Sequence, residues 1–134
     1  MSTASDLGSI RESVKQLCES YGEDYWLELD RTRGFPTAFV KELTDSGFLT
    51  VLIPEEYGGA GLGVMEASVV MEQVCRSGAH AGACHAQMYV MGSVLRHGSE
   101  AQKQYYLPKI AAGELRLQSF GVTEPTTGTD TTSL

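Results

Sequence analysis

The residues of this chain best suited to meeting a ligand lie near its end, in the run Phe120-Gly121-Val122-Thr123-Glu124-Pro125-Thr126-Thr127-Gly128-Thr129-Asp130. Thr123, Thr126, Thr127 and Thr129 each bring a hydroxyl that both donates and accepts a hydrogen bond. Gly121 and Gly128 leave backbone N–H groups uncovered by a side chain, so a ligand can approach them. The chemistry that follows is the holding of a neutral, hydrogen-bonding cofactor. A Thr-rich turn opened by Glu124-Pro125 has the same composition, and the residue types by themselves leave both readings open.

Other segments carry less. Gly58-Gly59-Ala60-Gly61-Leu62-Gly63 is glycine-rich, but no three of its glycines have the G-x-G-x-x-G spacing, and no Lys-Ser or Lys-Thr follows. With Pro54 ahead of it, it reads as a connecting loop, and cradling phosphate is the minor alternative. His80 and His85 are five residues apart, which puts them on different faces of a helix. Cys18, Cys75 and Cys84 form no C-x-x-C pair, and each is expected to pack as a small, reduced, apolar side chain. No metal site is expected.

The elements that must position the threonine segment are helical. Ile10, Val14, Leu17 and Cys18 recur at helical spacing, with Arg11, Glu12, Lys15 and Gln16 on the other face. Tyr25, Trp26, Leu27 and Leu29 suggest a short helix that ends where Arg31 to Gly34 interrupts it. Pro36 suits a first helical turn, Phe39, Val40 and Leu43 give that helix its apolar face, and Gly47 stops it. Phe48 to Ile53 reads as a buried connector. From Val64 to Cys75, Met65, Val69, Val70, Met71 and Val74 exceed one stripe, as in a helix buried by several neighbours. Ala79 to His97 predicts another, with Gly82 and Gly92 allowing close helix approach and with Met88, Tyr89 and Met91 assigned first to the core and second to a ligand pocket. Ser99 with Gln102 forms a capping box for a last helix that Gly113 closes.

Beyond Gly113 the period changes to two: Leu115, Leu117 and Ser119 alternate with Arg116, Gln118 and Phe120. A single strand cannot satisfy its own backbone groups, so the pattern predicts a sheet completed by sequence beyond Leu134. The expected architecture is mainly α, an up-down bundle-like helical domain over 1–113 with an incipient β-strand in 114–134. The chain has 134 residues, 42% of them hydrophobic, which suffices for a core. A net charge of -7 argues against nucleic acid as a partner. No apolar run approaches the ~20 residues of a membrane span, and Met1 to Ile10 lacks a targeting pattern, so a cytoplasmic protein is expected.

Val122-Thr123-Glu124-Pro125-Thr126-Thr127-Gly128-Thr129-Asp130 resembles the Leu/Val-Thr-Glu-Pro-x-x-Gly-Ser-Asp signature of the acyl-CoA dehydrogenase family. Upstream, Ile53-Pro54-Glu55-Glu56-Tyr57-Gly58-Gly59 resembles that family's Pro-Glu-Glu-Tyr-Gly-Gly connector. Gly98-Ser99-Glu100-Ala101-Gln102-Lys103, Leu107-Pro108 and Gly113-Glu114 are similar to its landmarks between the two. The resemblance spans essentially the whole chain. It implies an N-terminal helical domain followed by the start of a middle β-domain, without the C-terminal bundle.

By this resemblance, FAD is the cofactor, lined by Phe120, Val122 and Thr123, with Thr123 near the polar edge of the flavin ring. Gly128 and Thr129 complete that wall, and Thr129 also lies close to the acyl-CoA. The implied reaction is α,β-desaturation of an acyl-CoA thioester, with an electron-transfer flavoprotein as acceptor and a homotetramer as the assembly. The family's base belongs to its C-terminal domain, so no catalytic residue is assigned here, and Glu124 is expected to serve the loop's structure. Thr129 replaces the usual Ser, and Thr126-Thr127 the commoner Gly-Ala, which makes the turn bulkier and more hydroxylated. The alternatives are an acyl-CoA oxidase or flavin monooxygenase of the same fold, and a non-catalytic helical interaction module. A flavin needs walls on several sides, and a base must reach its proton. The 134-residue chain is therefore expected to bind FAD weakly or not at all and to leave acyl-CoAs unchanged; turnover by the purified chain would contradict this.

Overall fold

The computed structural model describes residues 4–133. They form six α-helices: α1 (Ala4–Glu19), α2 (Glu23–Thr32), α3 (Thr37–Asp45), α4 (Val64–Arg76), α5 (Ala81–His97) and α6 (Glu100–Ala111). Short 3-10 turns occupy Phe48–Thr50, Glu55–Tyr57 and Thr131–Ser133. The helical architecture is the one that the sequence periodicity predicts.

α1 packs on α4. Val14, Leu17 and Cys18 of the one share a buried cluster with Ala67, Val70 and Val74 of the other, and each fully buried aliphatic side chain contributes about 1.5–3 kcal/mol. On the rim, Arg11 donates to the Glu72 carboxylate at 2.5 Å and holds it below the usual carboxylate range. α2 differs, because none of its residues is buried. It stands on an aromatic group in which the Trp26 ring lies 5.0 Å from Phe39 and the Tyr21 ring 4.8 Å from Tyr25, edge to face. Trp26 Nε1 donates to the Tyr21 carbonyl at 3.0 Å. α2 continues to Thr32, past the predicted break at Arg31, and Arg33 ends it in the left-handed conformation with φ of 53°.

α3 buries Phe39, Val40 and Leu43, and Gly47 at φ of 80° terminates it as expected. The connector that follows is buried at Leu49, Thr50, Val51 and Ile53. The glycine-rich loop folds back onto it: Ala60 N donates to the Thr50 carbonyl, Gly61 N to that of Ile53 and Leu62 N to that of Val51, at 2.7 to 3.2 Å. Those amides are engaged within the fold, which supports the connecting-loop reading over a phosphate cradle. At Gly59 a Cβ would lie 2.1 Å from the Ile53 oxygen, so no side chain fits there.

α5 contributes Ala83, Cys84 and Met88 to the first cluster and Met91 to a second, where it meets Ile53, Leu107 and Ile110. Ser99 and Gln102 form the predicted capping box at the start of α6, with bonds of 2.8 and 3.3 Å.

Four sequence readings are corrected. Met65 and Val64 are 63% and 74% exposed on the first turn of α4, because apolar character buries nothing where no neighbouring element covers it. Gly92 has no atom within 4 Å of its Cβ position and Gly82 meets only the His80 ring, so neither serves a close helix approach. Cys75 is exposed, whereas Cys18 and Cys84 are buried, and burial pushes the Cys84 thiol up to about 12. Residues 114–124 form no strand among the described residues. Leu115 and Leu117 do lie against the second cluster, with the predicted alternation, but a strand exists through its ladder, and no neighbouring segment pairs with this one.

Gln87 on α5 is 1% exposed, and neither its Nε2 nor its Oε1 has a partner among the described residues. A buried amide without partners costs about 1–3 kcal/mol. Gln87→Leu, of similar volume, is expected to raise stability by about that amount, seen as a higher urea midpoint at unchanged slope; a lower midpoint would show that the amide is satisfied in solution.

Candidate functional site

α5 positions the threonine segment. His85 and Tyr89, one turn apart on its exposed side, have ring centroids 4.8 Å apart, as an i, i+4 pair allows. Phe120 lays its ring 5.1 Å from Tyr89 at 40°. One face of Phe120 is thus anchored to the bundle while the residue remains 47% exposed, with Val122 at 46%.

Past Val122 the chain closes a tight turn. Glu124 N donates to the Thr127 carbonyl at 3.0 Å, and Thr127 N donates back to that of Glu124 at 3.3 Å, around Pro125-Thr126. The bulkier Thr126-Thr127 pair is accommodated in this turn. The Thr127 hydroxyl oxygen is shielded from solvent and has no partner among the described residues. Thr123 stands exposed before the turn, and Gly128 and Thr129 stand exposed after it. Nothing lies within 4 Å of the Cβ positions of Gly121 and Gly128. Downstream, Asp130 Oδ1 accepts from Thr132 N at 3.2 Å and from its hydroxyl at 2.6 Å.

The structure thus brings Phe120, Val122, Thr123, Gly128 and Thr129 into one exposed segment. Neither the cleft lined by Trp26, Arg33 and Gln118 nor the one lined by Arg11, Glu19 and Arg76 contains any of the five, although Gln118 stands two residues before Phe120. Tyr89, read from sequence chiefly as core, is partly exposed and supports the segment, whereas Met88 and Met91 are buried as expected. Sequence reasoning missed His85 and Tyr89 as its supports. The four-residue spacing of two ring side chains was the available signal.

The model of the acyl-CoA dehydrogenase N-terminal domain matches residues 5–114. The mitochondrial isovaleryl-CoA dehydrogenase of Pongo abelii is 33% identical over 135 aligned positions, covering 93% of this chain and 30% of the relative. The mitochondrial short-chain specific acyl-CoA dehydrogenase of Mus musculus is 31% identical, covering 93% of this chain and 32% of the relative. Among solved structures, an acyl-CoA dehydrogenase complexed with FAD from Bacillus anthracis superimposes with a TM-score of 0.78 at 28% identity, covering 96% of this chain and 22% of that one. A glutaryl-coenzyme A dehydrogenase in complex with glutaryl-CoA gives 0.78 at 30% identity, covering 100% of this chain and 35% of that one. The chain therefore spans about a third of the length of the curated relatives it matches. With a helical fold, a matched N-terminal domain over residues 5–114 and relatives named as acyl-CoA dehydrogenases, the chain belongs to the acyl-CoA dehydrogenase family.

Proposed function

We propose that this chain is part of an FAD-dependent acyl-CoA dehydrogenase that desaturates an acyl-CoA thioester between its α and β carbons, and that residues 120–129 form one wall of the flavin site. The observation that carries this reading is the exposed segment in which two apolar side chains precede a hydroxyl-rich turn.

The residues present fit a flavin. Phe120, braced by Tyr89, and Val122 offer apolar surface to a large aromatic ring. The shielded Thr127 oxygen has hydrogen-bonding capacity to spare, and the open glycines leave room for close approach to the backbone. Bound flavin supplies the acceptor for the electron pair that leaves the acyl group. Thr123 and the backbone amides near it would donate to its polar edge, where donors favour the negative charge that accumulates on reduction. Thr129, on the far side of the turn, would meet both the cofactor and the acyl-CoA. Glu124 is bound into the turn through its own backbone, which suits a structural role, and proton abstraction is assigned to no residue of this chain. An electron-transfer flavoprotein as acceptor, a cytoplasmic location and a homotetrameric assembly complete the proposal.

The test is the absorbance spectrum of the protein encoded by the complete reading frame, followed by anaerobic titration with saturated acyl-CoAs of several lengths. A flavin band that bleaches on addition of acyl-CoA supports desaturation. Thr123→Ala is expected to weaken flavin binding about five-fold, the value of about 1 kcal/mol for one hydrogen bond. A colourless protein that FAD does not reconstitute would refute the cofactor assignment, and rapid oxygen consumption in place of transfer to a flavoprotein would make it an oxidase.

A further inference from the structure

The stretch that leads into the proposed flavin wall is held without a backbone ladder. Leu115 N donates to the Lys109 carbonyl at 3.1 Å, and the next backbone bond along the chain is that of Glu124 N to the Thr127 carbonyl at 3.0 Å. Between them, residues 116–123 make no backbone hydrogen bond among the described residues. Where they stand is therefore decided by side chains. Arg116 sets its guanidinium 5.3 Å from the Phe35 ring, Leu117 lies against the second core cluster, and Gln118 lines the cleft that Trp26 also lines. From Ser119 to Thr123, the one ring contact among the described residues is that of Phe120 with Tyr89, at 5.1 Å between centroids.

Tyr89 is itself placed by its surroundings. Its neighbours in the chain, Met88 and Val90, are buried, so its Cα is fixed with the core while its ring stays 38% exposed. His85, one turn earlier on α5, lays its ring 4.8 Å from that of Tyr89. The Tyr89 ring thus has His85 on one side and Phe120 on the other, and few of its rotamers keep both contacts. Both contacts are made by rings, and a phenylalanine at position 89 would preserve them.

We propose that Tyr89 is a positioning residue of the flavin site. Resting on the function proposed above, it acts through Phe120: it holds that ring in place before the flavin arrives, with His85 behind it. A wall already in place loses less conformational freedom when a ligand binds, and the difference appears in affinity. Val122 and Thr123 follow Phe120 at two and three residues without a backbone bond of their own among the described residues, so the place of Phe120 sets theirs as well.

The first arm of the test uses the 134-residue chain without flavin. Amide order parameters from nitrogen-15 relaxation are expected to lie near the rigid value of about 0.85 for residues 119–123 of the parent and of Tyr89→Phe. In Tyr89→Leu they are expected to fall toward about 0.6, with those of α5 unchanged. The second arm measures FAD affinity in the protein encoded by the complete reading frame. Tyr89→Leu is expected to weaken FAD about five-fold, as the loss of one aromatic pair does, whereas Tyr89→Phe keeps the parent's affinity. Tyr89→Leu combined with Phe120→Leu is expected to bind FAD no more weakly than Phe120→Leu alone, because a residue acting through Phe120 has nothing to hold once that ring is gone. Unchanged order parameters in Tyr89→Leu, a loss in Tyr89→Phe equal to that in Tyr89→Leu, or additive losses in the double variant would each overturn the proposal. A protein that takes up no FAD would refute the function proposed above, whereas the order parameters, measured without flavin, decide separately whether Tyr89 holds Phe120.

Discussion

Everything in this domain is arranged around a stretch of irregular backbone that has to be buried. Residues 49–53 run through the interior without belonging to an α-helix, and Leu49, Val51 and Ile53 are almost wholly shielded from water. Buried carbonyls need donors. The glycine-rich loop supplies them from Ala60, Gly61 and Leu62. It can approach closely enough only because Gly59 lacks a side chain, since a Cβ there would overlap the Ile53 carbonyl.

With its backbone satisfied, the connector acts as the seam between two cores. Leu49 and Val51 belong to the cluster shared by α1, α3, α4 and the first half of α5, Ile53 belongs to the cluster with α6, and Leu52 touches both. α5 spans the same seam, with Cys84 and Met88 on one side of it and Met91 on the other. Gln87 of the same helix is buried, and its amide has no partner among the described residues. The helix is thereby fixed along its length, and what its other surfaces carry is fixed with it. Tyr89 supports Phe120 on one side, and the first turn opens into the cleft with Arg33 and Gln118.

α2 shows the opposite regime. With no buried residue, it is held by ring contacts, a local hydrogen bond from Trp26 to the Tyr21 carbonyl and a longer-range one from Phe39 N to the Tyr25 hydroxyl. The Tyr21 hydroxyl, bonded to Glu42, has its proton held more tightly by burial first and by that carboxylate second. An element attached in this way has low local stability compared with a helix bound through its core face. It lines the same cleft as the start of α5, so that cleft has a helix with buried residues on one side and one with none on the other.

Local rules fixed much of this from sequence. Helical spacing of apolar residues located the helices, Gly47 and Gly113 marked ends that only positive φ allows, and Ser99 with Gln102 announced a cap that depends on three-residue spacing alone. The Thr-Glu-Pro run was legible as the segment proposed to face the flavin for the same reason: its glycines and hydroxyls declare their chemistry wherever they stand. What sequence did not determine were relations between segments. Met65 and Cys75 have the composition of core residues, but burial depends on which neighbour arrives, and none covers them. The alternation after Gly113 is a strand pattern, but a strand is a property of a pair. The contact of Tyr89 with Phe120, and the meeting of Arg33 with Gln118 across one cleft, join residues 31 and 85 positions apart. Their proximity follows from the packing of α5 against the buried connector, which no local pattern encodes.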